Sequence, residues 1–254
     1  MSTPIIRKLY FSPVKSLSFS DQKKLIVKKN IGIINDRIFA FTRLIDKKES
    51  YNYEKYPKKR NLNFFLTLRN SPFLNKYNFE YRDNVLSLII NNKLIKKILL
   101  DNRNNFEILS KELMHREKLI TKMPYLIYNK YSPFFDTMPD ISISLINTRS
   151  IEDFENKINL KIGLERFRAN IYMNNIDPWK EFNWIGREIS INNCLFKVTQ
   201  KIPRCSATNL IPKTETSDMN LPLKLKEIYN HINMGVYLKP LTDGDINENN
   251  VIKL

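Results

Sequence analysis

Residues 141–147 read Ile-Ser-Ile-Ser-Leu-Ile-Asn, and this alternation of apolar and polar side chains fits an extended strand, whose residues switch faces at every step. The pattern predicts one buried and one exposed face. Further short runs of the same kind follow at 188–191, 194–199, 235–238 and 251–254, with Asn192-Asn193 and Asp243-Gly244 supplying turn dipeptides. Around the second of these turns, 235–238 is expected to pair with 251–254. Many short strands and few helices in residues 140–254 predict a closed or nearly closed barrel. The chain has only 5 glycines in 254 residues and no glycine-rich phosphate loop, which excludes a Rossmann or P-loop fold. The fold class is therefore mainly β, of the α+β kind.

The first half is also strand-rich. Strands are expected at 5–10, 24–28, 38–41, 63–68, 85–90 and 93–100, with Asn91-Asn92 turning the last two into a hairpin. Leu109, Leu113 and Arg116 recur at helical spacing, so 106–119 reads as a short amphipathic helix. Residues 47–63 are polar and carry Tyr51, Tyr53 and Tyr56 among Lys58, Lys59 and Arg60, a pattern open to two readings, a loop over a pocket or a stacking platform for bases. Pro124, Pro133 and Pro139 mark 125–139 as a linker, giving two domains, 1–124 and 125–254.

A hydrophobic content of 42% is ample for a core. The net charge of +16 invites a nucleic-acid or membrane reading, but lysines spread along the whole chain point instead to a solvated basic surface. Two cysteines and two histidines support neither a disulfide framework, a zinc site nor a Ser-His-Asp triad. Without a signal peptide or an apolar run of spanning length, the expectation is a cytoplasmic monomer with no membrane association.

The stretch 201–210 has the residue types that chemistry needs. Cys205 follows Arg204 at the end of a strand, and a fixed positive charge favours the thiolate, although a cysteine is also a common inert core residue. Arg166, Arg168 and Asn170 alternate, and as a strand they would present two guanidiniums and an amide on one face, a fork for phosphate or another polyoxyanion. Asn147-Thr148-Arg149-Ser150 leads from a strand into a helix expected at 151–157, with Ser150 as its cap. Such a junction either binds an anion or merely starts the helix. Lys15 and Ser16 offer donors after Pro13, and Asp36-Arg37 reads as a local ion pair or turn.

In order, these pieces are Pro13-Val14-Lys15-Ser16, Gly32, Asp36-Arg37, Ser144 to Asn147 and Ser150, Arg166 to Asn170, Trp184-Ile185-Gly186, Arg204-Cys205 and Gly235-Val236-Tyr237. The order resembles the MOSC family, proteins similar to the C-terminal domain of molybdenum cofactor sulfurase, with their β-rich N-terminal subdomain attached. The resemblance implies a MOSC β-barrel and a pyranopterin molybdenum cofactor with Cys205 as the metal's protein ligand. It places Lys15, Ser16, Arg37, Asn147, Ser150, Arg168, Asn170 and Arg204 around the pterin and its phosphate. The implied activity is reduction of a small N-hydroxylated substrate, with electrons from a separate ferredoxin, flavoprotein or cytochrome. The alternative it implies is a sulfur carrier acting through a Cys205 persulfide, and pyridoxal phosphate binding is a further family association. The chain departs from the family pattern at Tyr51 to Pro57, where a Gln-Arg before Pro is usual, at Ala169, and at Glu248-Asn249-Asn250.

Overall fold

The computed structural model describes residues 3–17, 19–135 and 141–254. The chain divides into two compact units: residues 1–11, 21–34 and 140–254 form the first, and residues 12–20 and 35–139 the second. The two units thus do not follow a single cut in the sequence, and the divide expected between 124 and 125 falls inside the second. The part of the expected linker at 136–139 lies outside the described residues.

The first unit is built on an eight-stranded sheet in the order Ile252–Lys253, Glu188–Ile191, Cys194–Pro203, Asn233–Pro240, Ile143–Asn147, Ile171–Asn174, Ile5–Phe11 and Ser20–Gln22. Its ends meet: Ile5 bridges Val251, Ile6 N–H donates to Asn250 O, and Ile252 N–H donates to Pro4 O, both at 2.9 Å. These bonds close the seven strands from Ile252–Lys253 to Ile5–Phe11 into a ring, the barrel that the alternating runs predict. Ile143–Asn147 and Ile171–Asn174 are parallel and need a crossover, supplied by the helix Thr148–Ile158. The interior is filled by Ile6, Leu145, Met173, Val198 and Leu238, each fully buried and each contributing about 1.5–3 kcal/mol of hydrophobic stabilisation.

Two expectations fail here for identifiable reasons. Ile143–Asn147 is buried at every position, because the crossover helix covers the face turned away from the core. Ser144 is tolerated there because its hydroxyl is hydrogen-bonded to Asn170. The pairing of 235–238 with 251–254 does not occur. Asn233–Pro240 lies between Cys194–Pro203 and Ile143–Asn147, while Ile252–Lys253 pairs with Glu188–Ile191. Gly244 opens a strand, Gly244–Asn247, that pairs with Lys24–Lys28, fastened by the Asp243 carboxylate, which accepts from Lys29 N–H (2.8 Å) and Lys28 Nζ (2.9 Å).

The second unit contains a three-stranded antiparallel sheet, Tyr77–Arg82, Val85–Ile90 and Lys93–Leu99, and a pair formed by Phe39–Phe41 and Leu126–Tyr128. Asn91 and Asn92 take φ of 50° and 60°, the left-handed conformation a tight hairpin turn requires. The expected helix at 106–119 spans Asn104–Arg116, and the strand Tyr77–Arg82 was not expected. Residues 63–68 are not a strand. Their start is the short 3-10 turn Leu62–Phe64, and Phe65 makes only a single bridge to Thr42. The tyrosine-bearing segment opens with a helix, Lys47–Lys55, because Asp46 accepts from Glu49 N–H as its cap and Tyr53 packs into a core with Phe65 and Phe134.

Candidate functional site around Cys205

Residues of the strand Cys194–Pro203 alternate in burial, which separates the two cysteines. Cys194 faces the core, and burial pushes its thiol up to about 11. Cys205 lies just beyond the strand and is exposed. Its carbonyl accepts from Thr208 N–H (3.1 Å) and Thr208 Oγ1 (2.9 Å), which ties it to the short turn Ser206–Asn209. The loop beyond that turn is held by Arg166, whose guanidinium makes a two-pronged pair with Asp218 at 2.7 and 2.6 Å and also donates to Asn209 O at 3.1 Å. The same hydrogen bonds hold the Asp218 carboxyl below its usual range.

Arg204 turns inward. Its Nε donates to Met234 O at 3.0 Å, Nη2 donates to the same carbonyl, and Nη1 donates to Phe167 O at 2.9 Å. The guanidinium therefore buttresses the backbone beneath Cys205, and burial lowers its pKa.

Arg166 to Asn170 do not form the expected strand. Leu164–Phe167 is a 3-10 turn, Arg168 sits in the left-handed region at φ 51°, and the strand begins only at Ile171. Tyr172 fixes this turn by donating from Oη to Leu164 O (2.6 Å) and accepting from Ala169 N–H (3.0 Å). The two arginines consequently do not share a strand face: Arg166 is buried against Asp218, and Arg168 is half-buried. Asn170 is a strand tie. Its Oδ1 accepts from Ser144 Oγ (2.9 Å) and its Nδ2 donates to Tyr10 O (3.3 Å).

The crossover helix starts earlier than expected, with Asn147 as its cap, accepting from Arg149 N–H at 3.1 Å. Ser150 lies inside the first turn and donates to Glu181, 2.9 Å from Oε1, while accepting from Trp179 N–H at 2.8 Å. Asn147 Nδ2 donates to Asp177 O at 2.9 Å and reaches Glu181 Oε2 at 3.5 Å. Both residues thus serve the protein's own carboxylate. Glu181 is fully buried, and desolvation raises its pKa to about 7. Nothing in the sequence singled it out, since it stands in a polar, aromatic connection among other charged residues.

In the second unit, Lys15 is 1% exposed and donates from Nζ to Phe134 O at 3.3 Å. Ser16 and Arg37 both have positive φ, 64° and 53°. Arg37 pairs with Asp36, whose other oxygen accepts from Ser12 N–H at 2.7 Å, so the expected local ion pair is present. Arg60, read in the sequence only as part of a stacking segment, stacks on Phe134 at 3.9 Å and donates to Tyr53 O and Pro133 O, both at 2.9 Å. Its Nη2 is buried with no acceptor among the described residues, and burial lowers its pKa to about 10. Lys15 and Arg60 therefore converge on Pro133-Phe134.

Among the described residues no three of His, Cys, Asp and Glu come together as a metal cage, and no helix is long and apolar enough to cross a membrane.

A family model described as "MOSC domain" matches residues 135–253. "Molybdenum cofactor sulfurase" of Caenorhabditis elegans is 32% identical over 104 residues, 39% of this chain and 14% of that protein. "Mitochondrial amidoxime reducing component 2" of Rattus norvegicus is 32% identical over 92 residues, 36% of this chain and 27% of that protein. The match thus spans about a quarter or less of the length of these relatives. Among solved structures, the YuaD protein from Bacillus subtilis is similar at a TM-score of 0.45 and 12% identity, covering 99% of this chain and 97% of that one.

Proposed function

We propose, from the match of residues 135–253 to the MOSC domain model, that the protein is a molybdenum-cofactor oxidoreductase that reduces N-hydroxylated compounds, with Cys205 ligating the metal. The unit of residues 12–20 and 35–139 is, in this reading, the counterpart of the expected β-rich N-terminal subdomain. The observation that carries the proposal is the contrast between the two thiols. Cys194 is sealed in the barrel core, whereas Cys205 stands exposed on a loop fixed by Thr208 and Arg166. A soft thiolate on a fixed backbone suits a molybdenum centre.

The residues present also fit an anionic, oxygen-rich ligand. A buried guanidinium nitrogen without an acceptor, at Arg60, is a donor that such a ligand satisfies. Within the second unit, Lys15, Arg37 and Arg60 would hold anionic oxygens, and Ser16 would add a hydroxyl. Within the first, Arg168 would hold an anionic group, while Arg204 and Asn170 fix the backbone on either side of Arg168, and Asn147 and Ser150 fix the connection through Asp177 and Trp179. A pyranopterin molybdenum group held at Cys205 would supply the two-electron chemistry. The overall change is R–NHOH plus two electrons and two protons giving R–NH2 and water. The electrons come from a separate ferredoxin, flavoprotein or cytochrome, and the protein's contribution is to fix the thiol and neutralise charge.

The test is turnover of a simple hydroxylamine or amidoxime by protein made in a cofactor-competent host, with a reduced viologen as donor. Wild type is expected to turn over and Cys205→Ser to lose at least a hundredfold. No turnover by loaded wild type would refute the reductase reading. The exposure of Cys205 also favours a sulfur carrier, which would instead show one added sulfur on Cys205 by mass and no turnover.

A further inference from the structure

The strand leading to Cys205 and the strand Asn233–Pro240 run antiparallel, with Pro203 opposite Asn233 and Arg204 N–H donating to Ile232 O at 2.9 Å. One further step of this register carries Cys205 toward His231. Both residues lie just beyond the paired strands, which end at Pro203 and Asn233, so they flank the last bonded step from the same end. Lys201 supports this placement of the ring. It lies on the strand leading to Cys205, its Nζ is 4.7 Å from the Phe182 ring, and its charge acts on His231.

The ring of His231 is held on several sides. It stacks on Tyr229 with an interplanar angle of 15°, and it meets Trp179 and Phe182 edge-on, each at 5.6 Å. Tyr229 and Trp179 are themselves locked by hydrogen bonds to Asp153, at 2.7 and 2.8 Å. His231 Nδ1 accepts from Asn233 N–H at 3.2 Å, so the neutral ring carries its proton on Nε2. Nε2 has no partner among the described residues, and the ring is only half-buried.

We propose that His231 is a substrate-contacting residue of the Cys205 site, its neutral imidazole presenting Nε2–H as a fixed hydrogen-bond donor to the hydroxyl oxygen of the bound compound. This rests on the reductase reading of that site. No proton leaves His231 in this role. It orients the N–O bond and stabilises the oxygen as charge develops there, while Tyr229, Trp179 and Phe182 keep the ring from rotating. A sequence scan passes over His231, because a single histidine between two loop residues has no motif.

Two measurements test the proposal. The first reads the juxtaposition in cofactor-free protein. His231→Cys, mildly oxidised with diamide, is expected to form an intramolecular disulfide between Cys205 and the thiol introduced at position 231, identified by peptide mass, because the Arg204–Ile232 hydrogen bond holds the two segments together one residue away. The double variant Cys205→Ser/His231→Cys should not form it. Free thiols throughout in the single variant would overturn the placement. The second reads the donor in loaded protein of unchanged molybdenum content. His231→Ala is expected to lose tenfold or more in kcat/KM, mostly in kcat, and His231→Gln, whose amide nitrogen replaces Nε2, to recover to within about fivefold of wild type. Equal activity of the Ala and Gln variants would overturn the donor role. If the disulfide forms but loaded wild type turns over no N-hydroxylated compound, the reductase reading falls, and the donor role with it, while the juxtaposition of Cys205 and His231 stands.

Discussion

Glu181 is a carboxyl buried among neutral partners, Ser150 and Asn147, and its protonation is tied to folding. Its pKa is raised from 4.5 to about 7. Between those values the folded chain binds a proton that the unfolded chain has released, so stability falls as pH rises through this window and is greatest below it. The gap corresponds to at most about 3 kcal/mol. Glu181→Gln should therefore flatten the change in urea midpoint between pH 5 and pH 8, and an undiminished pH dependence in the variant would show that the proton is bound elsewhere. The same residue marks a limit of reading from sequence. Asn147 and Ser150 stand out at a strand-to-helix junction, and the structure makes Asn147 rather than Ser150 the cap, but the group they both meet comes from a connection with no pattern. Arg204 is comparable: its position beside Cys205 is plain in the sequence, whereas its three bonds to carbonyls of Met234 and Phe167 depend on chain segments distant in sequence.

At the level of elements, periodicity located most strands because it reports which residues share a face. It carries no information on which strand is the neighbour. The runs at 194–199 and 235–238 are therefore found where expected, yet the second pairs with the first and with Ile143–Asn147 rather than with the chain end. The strand expected across Arg166 to Asn170 fails for a different reason. Alternation over five residues also suits a turn, and the hydroxyl of Tyr172 selects the turn by bonding to Leu164 and Ala169. Close approach of strands has one sharp requirement, at Gly235. Its φ is +80°, and a Cβ there would lie 2.4 Å from Leu145 O and 2.5 Å from Ile146 Cγ1. Gly235→Ala should destabilise the first unit by about 3 kcal/mol or more, combining positive-φ strain with a backbone clash, as read by thermal or urea unfolding. A loss under about 1 kcal/mol would mean that the two strands can separate at no cost.

For the molecule as a whole, the barrel is legible in the number and spacing of short strands, but its closure is not. The ring is completed by residues 4–6 meeting 250–252, a pairing between opposite ends of the sequence that no local signal encodes. Closing it fixes the strand end from which Cys205 emerges, and Arg166 and Thr208 then hold the thiol-bearing loop. The basic character is also partly consumed internally: lysines pair with carboxylates around the first unit, as Lys23 does with Glu248 and Lys28 with Asp243. The central claim is that this scaffold presents Cys205 as the one protein ligand of a molybdenum centre. It is tested most directly by the molybdenum content of wild type and Cys205→Ser purified side by side from a cofactor-competent host. The account predicts about one molybdenum per wild-type chain and loss of the metal from a Cys205→Ser protein that is otherwise folded. Absence of molybdenum from both, or equal content in the two, would contradict it.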